Sequence, residues 1–128
     1  MKAQLHKIDE KARFENAYHA IAKSGEQFSL ITPNIPRFLD GAVRDIHASY
    51  NRALGFVFQA SNSEVPEEKI ACLSKAHDLL FFQQSSLEYL VKTHGISIGQ
   101  ANNVIDCTAA AYAQCARWKR FIIKEMSK

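Results

Sequence analysis

Between Pro66 and Gly95 the chain places a side chain of one face every three or four residues. Ile70, Leu73, His77, Leu80, Gln84, Leu87 and Val91 form one row, and Cys72, Ala76, Leu79, Gln83, Ser86 and Leu90 form a second beside it. Steps that alternate between three and four are those of a helix whose seam packs on other helices at a shallow angle. Two adjacent rows require more than one neighbour. The run therefore predicts a long helix inside a helical bundle.

The rest of the chain supplies the neighbours. A first helix is predicted over residues 9–31, on the face Phe14, Tyr18, Ile21, Gly25 and Phe28, with Leu5 and Ile8 extending that face toward the start. Gly25 inside the pattern weakens the helix by about 1 kcal/mol relative to alanine, and it is expected to let a neighbouring helix approach closely. Pro33 and Pro36 break the pattern, and Pro36 suits the first turn of a second helix over residues 36–60. Its seam is Leu39, Val43, Ile46, Tyr50, Ala53, Val57 and Ala60, and Asp40 and Arg44 are spaced to pair on its surface. Pro66, Glu67 and Glu68 open a third helix over residues 66–94, where Gly95 is expected to give the left-handed stop. Ser97 and Gln100 have capping-box spacing ahead of a fourth helix over residues 98–125. Its seam is Val104, Thr108, Ala111, Cys115, Trp118 and Ile122.

Four helices joined by short loops predict an all-α, up-down-up-down antiparallel four-helix bundle, a single domain spanning residues 1–128. A hydrophobic content of 47% with only five glycines and three prolines suits long uninterrupted elements. No run approaches the roughly 18 apolar residues of a membrane span. The opening MKAQLHKIDEKARF has no apolar stretch of the signal-peptide kind. A cytoplasmic protein without membrane contact is the expectation.

The residues do not announce a reaction. Phosphate loops, nucleophile elbows and haem-attachment motifs are absent from the sequence. Di-metal bundles carry Glu-x-x-His pairs facing inward carboxylates, and that pattern is missing. His77 in the seam and His19 four residues after Glu15 are the nearest approach to a ligand set. No metal, no cofactor and no enzymatic activity are expected. Cys72, Cys107 and Cys115 read as small core residues in a reducing compartment. Cys107 and Cys115 lie about 12 Å apart along one helix, too far to bridge.

Three features point outward instead. His77, Gln83 and Gln84 interrupt the third helix's apolar side, which fits either an oligomer interface or channel, or a bundle edge in water. Phe82 and Tyr89 lie seven residues apart, off the seam and in one row with Lys75. They fit a contact with another subunit, or a wider apolar face. Arg117, Lys119, Arg120 and Lys124 flank Trp118 and Phe121. That arrangement suits a phosphate-binding patch with stacking aromatics, or compensation of the helix dipole with Trp118 in the core. The net charge of +3 is compatible with both.

Ile35-Pro36-Arg37-Phe38-Leu39, the pattern Leu73…Ala76…Asp78-Leu79, Ile96-Ser97…Gln100 and Arg117-Trp118 resemble motifs of a known family. It comprises the small four-helix-bundle proteins encoded by intervening sequences of 23S ribosomal RNA genes. Within it, the chain is most similar to the accessory variability proteins of diversity-generating retroelements. The resemblance runs from about Phe14 to Phe121. It implies a homopentameric barrel of bundles whose basic surfaces bind RNA or DNA and a reverse transcriptase. Carried over by position, Arg37, Arg44, Arg117, Lys119 and Arg120 are the implied nucleic-acid-binding residues. Gln83 and Gln84 stand where the retroelement proteins tend to have arginine, and Ala116-Arg117 lacks the glycine they commonly have before the helix-four tryptophan. Phe82, Tyr89, Gln83 and Gln84 are the candidate oligomer-interface residues. The expected function is a non-catalytic oligomeric accessory protein that binds nucleic acid or a reverse-transcriptase-like partner. The alternative is an interaction scaffold without nucleic-acid affinity.

Overall fold

The computed structural model describes the backbone of residues 2–128 and the side chains of residues 9–128. Four helices are formed: α1 (Lys2–Ile31), α2 (Asp40–Asn62), α3 (Pro66–Lys92) and α4 (Ile98–Met126). Short 3-10 turns at Thr32–Asn34 and Arg37–Leu39 join α1 to α2.

The helix termini differ from the sequence expectation for identifiable reasons. α1 begins at Lys2 rather than near residue 9, because no glycine or proline interrupts the opening residues. The face predicted for Leu5 and Ile8 lies outside the described side chains. α2 begins at Asp40 rather than Pro36. The intervening turn is 3-10, closed by Leu39 N–H donating to the Pro36 carbonyl at 3.0 Å. α3 ends in a Schellman motif: Gly95 N–H donates to Leu90 O at 2.8 Å and His94 N–H to Val91 O at 3.0 Å. The left-handed residue is His94, with φ of 61°, and not Gly95. Gly95 is needed for space instead. A Cβ there would lie 2.5 Å from Leu39 Cδ1 and 3.3 Å from the Leu90 carbonyl oxygen. The Ser97–Gln100 capping box forms as its spacing predicts.

Cross-helix contacts fix the topology. Phe14 meets Phe58 while Phe28 meets His47, so α2 descends as α1 rises. Gln59 lies against Cys72 and Ser49 against Gln83, so α3 rises again. Phe14 meets Trp118 and Gln27 meets Asn103, which sets α4 antiparallel to α1. α1 packs on α2 and α4, and α3 packs on the same two, with α2 and α4 on a diagonal. The result is an up-down four-helix bundle.

The core follows the predicted seams closely on α2 and α4 and is rotated on α3. Val104, Thr108, Ala111, Cys115, Trp118 and Ile122 are all buried, as their spacing requires. On α3 the buried set is Leu73, Ala76, Leu80, Gln83, Leu87 and Leu90, alternating between the two rows read from the sequence. The helix points the boundary between those rows at the core. That phase places Gln83 at the centre and leaves His77 and Gln84 half-buried on the flank.

A polar layer crosses the middle of the bundle and takes a residue from every helix. Ser24 Oγ of α1 lies 3.0 Å from Tyr50 Oη of α2 and 2.6 Å from Thr108 Oγ1 of α4, and Tyr50 Oη lies 3.1 Å from Thr108 Oγ1. Thr108 also reaches the Val104 carbonyl at 2.9 Å. On α3, Gln83 Nε2 donates to Ser49 Oγ at 3.0 Å, and Ser49 donates to Ile46 O at 2.7 Å. Sliding one helix by a turn would strand these hydroxyls in an apolar core, at about 1–3 kcal/mol each. The layer therefore fixes the register that the apolar seams leave free.

Candidate partner-binding surfaces

α4 turns three cations to one side. Arg117, Arg120 and Lys124 are exposed, and their spacing of three and four residues puts them on the face opposite the buried seam. Among the described residues, the ion pairs formed are Arg13–Asp9, Lys69–Glu10 and Lys128–Glu125. The α4 cations enter none of them, and neither does the Asp40–Arg44 pair expected on α2. Lys119 stands apart from the stripe. It is half-buried on the α3 flank, where its charge reaches the ring of His77. His77 is stacked on Tyr112 with ring centroids 3.6 Å apart. Burial first, and then Lys119, hold the His77 imidazole below its ordinary pKa, with Asp78 pulling weakly the other way.

Arg37 and Arg44 are also exposed, but at the other end of the molecule. Leu39, just before α2, and Gly95, just before α4, touch. From that level Arg44 lies about 7 Å down the bundle and Arg117 about 28 Å down. The five predicted nucleic-acid residues therefore form two groups, roughly 20 Å apart along the axis of one chain. Proximity in a common motif set did not translate into proximity in space.

The aromatics flanking the basic set are engaged inside the bundle. Trp118 is fully buried, and its Nε1 has no acceptor. Phe121 is half-buried beneath the Arg13 guanidinium, 4.5 Å from its ring centroid. Trp118 is therefore not a stacking platform for bases, because helix α4 points it at α1 and Phe14.

α3 presents the exposed aromatics. Phe82 is 47% and Tyr89 53% exposed. Phe81, which the sequence reading passed over, is 60% exposed. Its place beside Phe82 in the run Leu79-Leu80-Phe81-Phe82 was the available signal. Gln83, expected at an interface between subunits, is instead fully buried within its own chain. Its amide bonds to Ser49 and is held in the bundle's polar layer. Gln84 is half-buried beside it.

A cleft of about 520 Å³ lies at the end of the bundle where α2 turns into α3. Glu10, Glu64, Lys69, Phe121, Glu125 and Met126 are among its walls. Lys69 closes one side, bonded to Glu10 and, at 3.0 Å, to the Ala60 carbonyl at the end of α2. No periodicity argument reaches such a site, because helix ends from distant parts of the chain build it. Among the described residues no three His, Cys, Asp or Glu side chains gather as a metal site. The cysteines are free, with Cys115 buried and Cys72 and Cys107 half-buried. Burial pushes the Cys115 thiol up to about 12. No helix among the described residues is long and apolar enough to cross a membrane.

The fold defines the class as an all-helical, up-down four-helix protein. Comparison of the chain with protein families, with curated proteins and with solved structures gives no match.

Proposed function

We propose that this chain is a non-catalytic accessory protein that associates with other copies of itself and engages the backbone of a nucleic acid through the outward face of α4. The observation that carries the reading is the stripe Arg117, Arg120 and Lys124. Its three cations are exposed on one helical face and unpaired among the described residues. Unpaired cations along one face suit phosphate, because binding releases condensed counterions without breaking internal ion pairs. Lys119 extends the patch toward α3, and Arg37 with Arg44 forms a second, smaller basic site at the opposite end. Phe82 and Tyr89 supply apolar surface for association. The family resemblance adds a reverse-transcriptase-like protein as partner, and the five-membered ring that it implies is the competing arrangement of the copies.

Fluorescence anisotropy with labelled RNA and DNA tests the phosphate contact. Replacing Arg117, Arg120 and Lys124 by alanine together is expected to weaken binding at least ~10-fold at low salt, while replacing Arg37 and Arg44 has a smaller effect. Equal losses from both sets would instead require one path that spans the length of the bundle. Absence of binding by the unmodified chain at low salt would favour the interaction scaffold.

A further inference from the structure

The outer side of α2 and α3 carries two patterns that share one centre. On α2, Asp45 and Arg52 lie either side of Ala48 and line a shallow groove of about 290 Å³ with Ser49, Leu79 and Phe82. They are seven residues apart and exposed, and neither is ion-paired among the described residues. Gly41 and Gly55 stand seven residues before and after Ala48, and a Cβ at either would meet nothing within 4 Å. Both glycines weaken the helix, and nothing in the single chain uses the room they leave. On α3, Lys75 and Tyr89 stand seven residues before and after Phe82. Lys75 lies over Phe56 and Gln83 bonds to Ser49, which puts Phe82 level with residues 49–50, beside Ala48.

We propose that this face docks a second copy of the chain, antiparallel, about a two-fold axis between Ala48 and Phe82. In such a contact a residue before the centre meets, to within one residue, the one equally far beyond it on the other copy. Asp45 then meets Arg52 twice, once in each direction, and Lys75 meets the ring of Tyr89 twice. Phe82 meets Phe82 at the axis, and the glycines let the two α2 backbones close in. The charge pattern suits this orientation, since an axis along the helices would set α2 against α3 and bring neither Asp45 nor Arg52 to the other. The face is also large enough. α2 is about 35 Å long and neighbouring helices are spaced about 8–10 Å, so two helices offer on the order of 700 Å² per copy, near a standard interface.

The inference rests on the self-association in the function proposed above and changes its symmetry. An isologous contact closes on itself and builds a dimer rather than a five-membered ring. It also leaves the α4 stripe uncovered, because α1 and α4 form the opposite side of the bundle from α2 and α3.

Sedimentation equilibrium of the full chain is the test. The expected mass is twice the 14.4 kDa of the chain. Asp45→Arg alone and Arg52→Asp alone are each expected to weaken the dimer about 10-fold or more, with helical circular dichroism unchanged. An equimolar mixture of the two variants should dimerise like the unmodified chain, because the reversed charges then meet their opposites. Phe82→Ser, which leaves the charges in place, should weaken it as well. The proposal is overturned by a single-chain mass at ~100 µM, by a mass of five chains, or by a dimer indifferent to both reversals. Nucleic-acid binding is read by a separate titration on the same variants, so loss of association and loss of phosphate contact are seen apart.

Discussion

Gln83 shows what a single side chain decides inside this bundle. Its Nε2 donates to Ser49, but its Oε1 is buried with no donor. An unmet buried acceptor costs about 1–3 kcal/mol. Gln83→Leu removes that group at similar volume, and Ser49 keeps its bond to the Ile46 carbonyl. It should therefore leave stability unchanged or raise it, whereas Gln83→Ala should cost about 2 kcal/mol for the cavity. Urea unfolding of the two variants checks the contrast, and a Gln83→Leu protein as unstable as Gln83→Ala would mean that the amide is needed where it is. Titration gives a second residue-scale prediction. Burial raises the Tyr50 phenol, against lowering by its bonds to Ser24 and Thr108, and raises the Cys115 thiol to about 12. Both groups lose protons in the unfolded chain before the folded one. Stability is thus fully present below about pH 8.5–9 and falls as pH rises beyond it, first through Cys115 and then, above about 10, through Tyr50. His77 acts on the acid side with the opposite sense. Its pKa is depressed on folding, so its contribution is present above the ordinary value of 6.5 and is lost as pH falls below it. His77→Phe keeps a ring against Tyr112 and should flatten that acid limb in thermal melts recorded across pH. An acid limb of undiminished slope would assign it to other groups.

At the scale of elements, periodicity was legible and local backbone geometry was not. Every seam residue predicted on α4 is buried, because a long helix leaves only one phase in which its apolar side chains point together. On α3 two rows were equally apolar, and the choice of phase needed the neighbours. The stop of α3 was legible as a place but not as a mechanism. The sequence pointed to Gly95 as the left-handed residue, while His94 takes φ of 61° and Gly95 is constrained by Leu39. Glycine carries the left-handed conformation at lower cost than histidine, so His94→Gly should raise stability by roughly 0.5–1 kcal/mol. Gly95→Ala should lower it, since its methyl meets a backbone oxygen as well as Leu39. Gly25, read as a point of close approach, turns out to have room. A methyl there would sit 3.5 Å from Tyr50 Cγ, an ordinary contact. Gly25→Ala is accordingly expected to raise the melting temperature, by the roughly 0.5–1 kcal/mol of helix propensity. Thermal denaturation of the three variants side by side tests all of this, and a fall for Gly25→Ala would show that the helices approach more closely than 3.5 Å implies.

For the whole molecule, the sequence conveyed the bundle and the residues that carry charge, but not how those charges are distributed over it. Arg37 and Arg117 belong to one set of motifs and stand at opposite ends, because α2 and α4 run parallel and the first residue precedes α2 while the second lies toward the end of α4. The cleft between Glu10, Lys69 and Glu125 was not legible, because its shape depends on how the turn from α2 to α3 folds over the ends of α1 and α4. The stripe on α4 was readable, because its three cations share one helix and one face. The central claim is that this stripe meets phosphate, and the measurement that tests it most directly is the salt dependence of RNA and DNA affinity for the unmodified protein. Three phosphate contacts per chain predict a slope of log affinity against log salt of about −2 on a single strand, and steeper if several chains bind together. Weak binding with a slope near zero, or none at low salt, would contradict the claim and leave a bundle that works through protein contacts alone.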